Sequence, residues 1–357
     1  MLNYIIRRIL LFFPTLIGMT LVVFLVMAWS PGGVGGSLLN QVGNMKANQA
    51  AAIRKYLTER YGLNEPVMVQ YVHWLNLVSP VGFSTNVETH QRTFGFKAPD
   101  LGFSFSKGRP VSDLLLEAVP ITLLLNVVTI PLIYVISILV GIYSAYRRGS
   151  TFDRASGSIL LALWCVPTMC AGVLLIGFLA NREYVQVFPT GGLHDTLATT
   201  MSFLPSWASG NFERGWLLDT MWHLAMPVFC LTYGGFAFLT RLTRSAMLDN
   251  LSADYARTAR AKGVSERVML FRHVFRNSLL PLITVAAQIL PSLIAGSIIV
   301  ESIFSIHGMG LLIIEAVDAR DRDLVLAEAL IAGILGLVSY LISDLCYALA
   351  DPRVSYE

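Results

Sequence analysis

The chain has 357 residues, of which 55% are hydrophobic and 14% charged, and its mean hydropathy is +0.62. A soluble domain carries about 25% charged residues, so this composition indicates an integral membrane protein. The net charge of +3 does not indicate a nucleic-acid partner, and the placement of the charges is more informative than their sum.

Six apolar stretches are long enough to cross a bilayer, because a helical span needs about 20 residues. They lie at about 9–29, 118–143, 158–180, 222–240, 279–303 and 327–349. The sequence therefore predicts an all-α integral membrane protein with six transmembrane helices. The predicted division is an N-terminal tail with the first span, a segment outside the membrane and a domain with the other five spans, at 1–29, 30–117 and 118–357.

The Lys and Arg residues predict the orientation, because short loops rich in them stay in the cytoplasm. The tail before the first span and the loops 147–157 and 241–277 hold thirteen, whereas the loops 181–221 and 304–326 hold four. Both termini are therefore expected in the cytoplasm.

The segment 30–117 is expected to form a small extracytoplasmic cap. Asn64 and Pro66 mark a helix start, and the amphipathic run VMVQYVHWLNLV follows them. Downstream of the fifth span, the run GMGLLIIEAV is too short to cross the bilayer, so a surface helix is expected there.

Residues with catalytic or metal-binding patterns are not found in the sequence. No H-E-x-x-H, G-x-S-x-G or GxxxxGK[ST] motif occurs, and the six histidines have no ligand spacing. The four cysteines lie in apolar runs and are interpreted as small buried hydrophobes. We therefore expect that the chain is not an enzyme and binds no metal or cofactor. A membrane enzyme and a static membrane scaffold are the alternatives to a transport protein.

Polar residues inside the spans are few. Asn126 and Gln288 are candidates for lining a passage, although such residues also form hydrogen bonds between helices. Ionisable groups at membrane depth, which ion-coupled transporters use, are nearly absent, so the energy for any transport should come from elsewhere.

The stretch YARTARAKGVSERVMLFRHVFRN at 255–277 interrupts the apolar pattern of the chain. Ser252 is a candidate cap for a short helix with Asp254 in its first turn, where a carboxylate suits the helix dipole. Gly263 is the natural stop of that helix. Ser265 is a candidate cap for a second short helix.

The two short helices are expected to present different faces. The first has a small-residue face of Ala256, Ala259 and Gly263, which permits close approach of another backbone, beside a basic face of Arg257, Arg260 and Lys262. The second has a candidate hydrophobic staple of Val264 with Met269. Its predicted apolar stripe consists of Val268, Phe271, Val274 and Phe275. A solvated loop, a helix on anionic lipid and a docking site for a cytoplasmic protein are the three interpretations of this pattern.

This stretch closely resembles the cytoplasmic coupling loop of permease subunits in peptide-type ATP-binding-cassette importers. Other segments agree in collinear order: NYIIRRILLFFPTLIGMTLVVF, RYGLNEPVMVQYVHWL, DLGFSFSKGRPVSDLLLEAVPITLLL, FPTGGL, VESIFSIHGMGLLIIEAVDARDRDLV and SDLCYALADPRVSYE. The resemblance covers most of the chain. At the acidic position of the general E-A-A-x-x-x-G motif this chain has Arg257, and the later proline of that motif is displaced to Pro281.

The resemblance implies a permease that pairs with a second permease, two cytoplasmic ATPase subunits that bind ATP, and an outer solute-binding protein, with a peptide as the solute. It places the coupling loop at 241–278, with contact residues Tyr255, Ala256, Arg257, Ala259, Arg260, Ala261, Lys262 and Gly263. Loop insertions at about 80–99 and 194–215 are similar to the branch that imports oligopeptides and microcin C, although loop insertions are weak indicators. A nickel chelate, a sugar-linked peptide and a peptide-nucleotide antibiotic are the alternative solutes.

Overall fold

The structure, a computed structural model, describes residues 2–29, 58, 62, 64–85, 92–208, 211–294 and 298–350. Its helices are α1 (Leu2–Trp29), α2 (Val67–Val78), α3 (Val111–Tyr146), α4 (Thr151–Cys165), α5 (Thr168–Leu175), α6 (Gly215–Ser252), α7 (Asp254–Ala261), α8 (Glu266–Val268), α9 (Arg276–Ile294), α10 (Ile298–Ile303), α11 (Met309–Asp318) and α12 (Arg322–Ala350). Two π-helical segments, Ile176–Ala180 and Met269–Phe275, and a 3-10 turn, Ala198–Thr200, connect some of them.

Strands in the described residues form three two-stranded antiparallel sheets, which the all-α prediction did not include. They pair β1 (Val81–Thr85) with β2 (Arg92–Phe96), β3 (Phe103–Ser104) with β4 (Arg109–Pro110), and β5 (Ser206–Ala208) with β6 (Asn211–Glu213). The long elements are all helices, so the coarser prediction of a helical membrane protein is confirmed.

Four helices in the described part of the chain are long and apolar enough to cross a membrane. They are Tyr4–Trp29, Val111–Tyr146, Gly215–Ser252 and Arg322–Cys346. A fifth candidate is the pair Thr151–Cys165 and Thr168–Ala180, which is bent by 91°. Pro167 lies at this bend as the N-cap of α5, where its missing N–H and fixed φ interrupt the helix. The predicted span 279–303 corresponds to α9 and α10, between which residues 295–297 are outside the described ranges.

The first of two compact units comprises Leu2–Ala118 and Leu312–Ile334. The helix predicted from VMVQYVHWLNLV is confirmed as α2, with Pro66 at its N-cap position. The core of this unit joins residues of α1, α2 and α12, namely Phe24, Tyr71, Trp74, Val78 and Leu326. The run GMGLLIIEAV forms α11, so the predicted short helix there is also confirmed.

The second unit comprises Val119–Leu311 and Leu335–Glu357. Within it, α3 and α6 pack closely because glycines leave room for the facing helix. A Cβ added at Gly141 would lie 2.6 Å from the Cβ of Thr243, and one added at Gly235 would lie 2.7 Å from Cδ1 of Ile133. This close contact places the last turns of both helices beside α7.

Cysteine burial differs from the sequence interpretation. Cys230 is buried, but Cys165, Cys170 and Cys346 are exposed, so that interpretation is wrong for three of the four. Their helices have apolar surfaces that this chain does not cover, and a thiol is apolar enough to lie on such a surface.

Candidate functional site

The segment between α6 and α9 forms a compact helical corner. Ser252 is the last residue of α6, and its hydroxyl donates to the carbonyl of Asp249 at 2.8 Å. Ala253, extended with φ −68° and ψ 152°, is the N-cap of α7. The predicted cap by Ser252 is therefore wrong, because α6 continues further than its pattern indicated and the hydroxyl bonds back into it. Asp254 lies in the first turn of α7, as predicted.

Gly263 ends α7 as predicted. Its φ is +73°, its N–H donates to the Arg260 carbonyl at 3.0 Å, and the Val264 N–H donates to the Ala259 carbonyl at 3.2 Å. These two bonds are the Schellman pattern, which satisfies carbonyls at a helix end. A Cβ added at Gly263 would meet no atom within 4 Å, so the backbone conformation alone favours glycine here.

Two of the three residues of the small-residue face of α7 pack inward. Ala256 is completely buried and Ala259 is partly buried against one apolar cluster, which contains Ile142, Ala145, Met247, Met269, Leu270 and Val274. Gly263 is exposed. The interpretation of this face as a surface for a partner is therefore wrong for Ala256. The small side chains instead let α7 lie close to the chain's own helices.

The outward side of α7 carries the basic face. Tyr255, Arg257, Arg260, Ala261, Lys262 and Gly263 are all exposed. The guanidinium of Arg257 lies 3.7 Å from the Asp254 carboxylate, but the two side chains are 71% and 99% exposed. Because such an exposed pair contributes little stability, the basic face can accept an acidic or carbonyl partner at small cost.

The start of the second short helix is tied to α3. Ser265 occupies the predicted N-cap position, although its side chain makes no capping hydrogen bond. Val264 and Met269 lie in the same apolar cluster, which agrees with the predicted staple. The Tyr146 hydroxyl, at the end of α3, donates to the Glu266 carboxylate.

The π-helical segment Met269–Phe275 changes which residues face inward. Met269, Leu270 and Val274 are buried, whereas Val268 is 43% and Phe271 is 55% exposed. The predicted stripe is thus wrong for Val268 and Phe271, because it assumed the 3.6-residue period of an α-helix. A π-helix bonds residue i to i+5 and rotates the following positions.

Polar side chains join α7 to α6 and α9. The Tyr255 hydroxyl donates to the Asn250 side-chain carbonyl at 2.5 Å, and the Asn250 amide donates to the hydroxyl of Ser278 at 3.1 Å. Ser278 is fully buried, and its hydroxyl lies 2.9 Å from the Val274 carbonyl. These bonds connect α7 directly to both long helices.

A two-point ion pair fixes α6 to α4. Arg244 donates from Nε and Nη2 to the two carboxylate oxygens of Asp153, at 2.7 and 2.8 Å. The Ser144 hydroxyl and the Gly149 N–H, the latter at 2.9 Å, also donate to this carboxylate. The loop before α4 is therefore held against the same corner. The Arg244–Asp153 pair was not predicted from the sequence, because the two residues are 91 positions apart.

The structure describes only one of the side chains of Asn126 and Gln288, the two candidates for lining a passage. Asn126 is 5% exposed, and its amide donates to the Thr122 carbonyl in its own helix at 2.8 Å. This hydrogen bond within α3 supports a structural role for the Asn126 side chain. Gln288 lies in α9, but its side chain is outside the described residues.

A buried carboxylate, Glu301, was not predicted as a site. It accepts hydrogen bonds from the Leu311 N–H at 3.1 Å and the Thr122 hydroxyl at 3.3 Å. Thr122 in turn accepts from the Met309 N–H at 2.8 Å. A Cβ at Gly308 would lie 2.6 Å from Glu301 Oε2 and from Thr122 Oγ1. The glycine in HGMG thus permits a carboxylate to bind the start of α11, where the helix dipole favours negative charge.

Two of the quoted motifs meet in the first unit. Asp321, in VDARDRDLV, accepts hydrogen bonds from the hydroxyls of Ser104 at 2.7 Å and Ser106 at 2.8 Å, in DLGFSFSKGRP. Lys107 and Glu315 form an ion pair at 2.5 Å beside them. These hydrogen bonds and this ion pair therefore hold the two motifs together.

The FPTGGL motif lies in a loop that lines a cavity of about 810 Å³. Arg182, Glu183, His194, Asp195 and His223 contribute to its wall. Burial lowers the pKa of His194, and the N–H of Leu197 with the hydroxyl of Thr196 lowers that of Asp195. In the described part of the chain, no group of three or more His, Cys, Asp or Glu residues could hold a metal.

Comparison with known proteins gives relatives along the whole chain. The sequence is 37% identical to the oligopeptide transport system permease protein AppB of Bacillus subtilis, over 99% of each chain. It is 30% identical to the dipeptide transport system permease protein DppB of Alkalihalophilus pseudofirmus, over 100% of each chain. It is also 30% identical to the peptidoglycan transport system permease protein YejB of Agrobacterium fabrum, over 99% of this chain and 98% of that one.

Two family models match the chain in succession. Residues 1–126 match the N-terminal region of the membrane component of binding-protein-dependent transport systems. Residues 137–356 match the inner membrane component itself. The chain therefore belongs to the family of inner membrane components of binding-protein-dependent transport systems.

Proposed function

We propose that the chain is one of two permease subunits of a bacterial importer that takes up peptides by using ATP hydrolysis in two cytoplasmic subunits. The relatives named for oligopeptide and dipeptide transport, which match the chain over nearly its full length, support a peptide as the solute. The family description supports delivery of that solute by a separate binding protein.

The exposed basic face of α7 is the observation that carries the coupling role. It is presented on a helix whose other side is locked into the apolar cluster by Ala256 and Ala259. Arg257, Arg260 and Lys262 would contact an ATPase subunit, while Tyr255 would pass the movement of α7 to Asn250. The proposed coupling loop is 241–278.

The proposed topology has six spans, with both termini in the cytoplasm and residues 30–117 outside. Four long apolar helices and the bent pair support five of the spans. α9 and α10 would supply the sixth. We also propose that the solute path runs between this chain and the second permease, because polar residues inside its spans are too few to build a wet pore.

A reconstituted importer tests this function. The permease pair, both ATPase subunits and the binding protein are placed in lipid vesicles, and ATP hydrolysis is measured with peptides of different lengths. We expect peptides to stimulate hydrolysis several-fold and to be accumulated. Peptide uptake by vesicles that hold this subunit alone would contradict the proposed pairing.

A sugar-linked peptide is the second candidate solute, because one relative is named for peptidoglycan transport. In the same vesicles, a cell-wall muropeptide that stimulates hydrolysis when unmodified peptides do not would favour this alternative. Stimulation by unmodified peptides alone would exclude it.

A further inference from the structure

The helix α2 packs against the middle of α1, several turns before the C-terminal end of that helix. The Tyr71 hydroxyl is 2.9 Å from both the Ile17 carbonyl and the Thr20 hydroxyl, and Phe24 packs edge-on against the Tyr71 ring at 5.3 Å. Ile17 precedes Trp29, the last residue of α1, by twelve positions. At a rise of 1.5 Å per residue, this places the contact about 18 Å from the end of α1. Tyr71 therefore reaches the depth of the bilayer.

The opposite side of α2 is apolar and uncovered in this chain. Met68, Val69 and Val72 are 54%, 48% and 62% exposed. On α1, Val22, Val26 and Trp29 are 61%, 64% and 75% exposed. Because α1 is a candidate span, its exposed apolar surface is expected to meet lipid, and α2 packs against that same helix.

The β1–β2 hairpin adds an aromatic face to this surface. Its register pairs Val81 with Phe96 and Phe83 with Phe94, so these four side chains lie on one side, and they are 40%, 92%, 59% and 67% exposed. The Asn76 side chain joins the hairpin to α2, since it accepts from the Phe83 N–H at 2.9 Å and donates to the Phe83 carbonyl at 3.1 Å.

We propose that the outward side of α2 contacts lipid acyl chains beside the C-terminal half of α1, and that the aromatic face of the hairpin inserts at the boundary between acyl chains and headgroups. Lipid is the occupant because this apolar surface continues from a candidate span and begins at bilayer depth. The two-stranded hairpin lies at the boundary, since its unpaired edge groups need water that the hydrocarbon core lacks. The amino group of Lys97, which donates to the Phe83 carbonyl at 3.1 Å, suits the headgroup region.

Spin labels along β2 test the proposal. Thr93, Phe94, Gly95 and Phe96 are replaced one at a time by a nitroxide-labelled cysteine, after the exposed Cys165, Cys170 and Cys346 are changed to alanine. The assembled importer is placed in vesicles, and the accessibility of each label to oxygen, which enters lipid, is compared with that to a water-soluble nickel chelate. Thr93 and Gly95 are matched controls, because they point to the other side of the strand.

The oxygen-to-nickel ratio should alternate, with values several-fold higher at positions 94 and 96 than at 93 and 95. Equal access of the nickel chelate to all four labels would show that the hairpin lies in water. Protection of 94 and 96 from both reagents would show that a protein covers the face. Either result overturns the proposal. Labels at Val81 and Phe83 repeat the measurement on β1, so a variant that fails to fold does not decide it.

Discussion

Gly263 ends α7 in a backbone conformation that other residues rarely adopt. A left-handed conformation costs about 1–2 kcal/mol for a residue with a Cβ, and more strain is expected for a β-branched one, whereas asparagine tolerates it better. We expect Gly263→Val to unwind the end of α7 and to lower peptide-stimulated ATP hydrolysis several-fold. Gly263→Asn should retain most of the parent rate.

Both Gly263 variants should insert into the membrane in normal amounts, because residue 263 lies in an exposed loop and an added Cβ meets no atom within 4 Å. Hydrolysis and protein amount are measured on the same reconstituted samples. Equal hydrolysis rates for the valine and asparagine variants would show that the conformation of this residue does not matter for coupling.

The Arg244–Asp153 pair should contribute measurably to stability. Asp153 accepts from two guanidinium nitrogens, a hydroxyl and a backbone N–H. Hydrogen bonds to partly buried charged groups contribute roughly 1.5–3 kcal/mol, so Asp153→Asn should lower the thermal unfolding midpoint of the purified protein. The control is Glu117→Gln, which weakens the exposed pair with Arg109 and should leave the midpoint nearly unchanged. Similar shifts for both variants would contradict this ranking.

Local rules predicted some residues of the site and failed for others. Gly263 and Asp254 were predictable, because a helix stop and a first-turn carboxylate depend only on nearby backbone groups. The burial of Ala256 was not, since a face of small residues fits the chain's own helices as well as a partner's. The Arg244–Asp153 pair depends on the packing of α4 against α6, which residue spacing does not reveal.

At the scale of elements, α7 has one side buried against the chain's own helices and one exposed basic side, which is the proposed docking surface. We expect Ala256→Leu to lower stability by about 1–3 kcal/mol, because it overfills a fully buried position. Ala261→Leu, on the exposed side, should leave the unfolding midpoint near that of the parent and weaken coupling to the ATPase. Thermal unfolding and peptide-stimulated hydrolysis, measured on both variants, separate the two effects. A stable, fully coupled Ala256→Leu protein would contradict the inward packing.

Charge reversal distinguishes docking by α7 from a general need for positive charge. Arg257→Glu with Arg260→Glu should release the ATPase subunits during purification, because both side chains lie on the basic face. Arg267→Glu with Arg272→Glu is the matched control, since these residues are also exposed and basic but lie beyond Gly263. Equal loss of ATPase from both double variants would show a general need for positive charge, and no loss from either would favour the solvated-loop interpretation.

Element types were more predictable than their details. The helix α2 followed from an amphipathic run. The π-helical segment at 269–275 was not predictable, because its extra residue per turn is stabilised by burial of Leu270 and Val274 and not by any local signal. The short hairpins escaped prediction because their strands have only two to five residues, too few for a clear alternating pattern.

At the scale of the whole molecule, the proposed topology follows from the distribution of Lys and Arg. Reporter fusions after Thr196 should behave as extracytoplasmic, and fusions after Glu266 as cytoplasmic. The measurement uses a periplasm-active enzyme and a cytoplasm-active fluorescent protein at each position. An inverted result at either position would overturn the span assignment.

The most direct test of the central claim is a photo-crosslinking measurement in the assembled importer. A photoreactive amino acid replaces exposed Arg257 or Lys262, and, as a control, buried Val274. The account predicts crosslinks from Arg257 and Lys262 to an ATPase subunit, and none from Val274. Crosslinks from Arg257 and Lys262 only to lipid, or to no partner while the ATPase remains bound, would contradict the claim that α7 couples the permease to ATP hydrolysis.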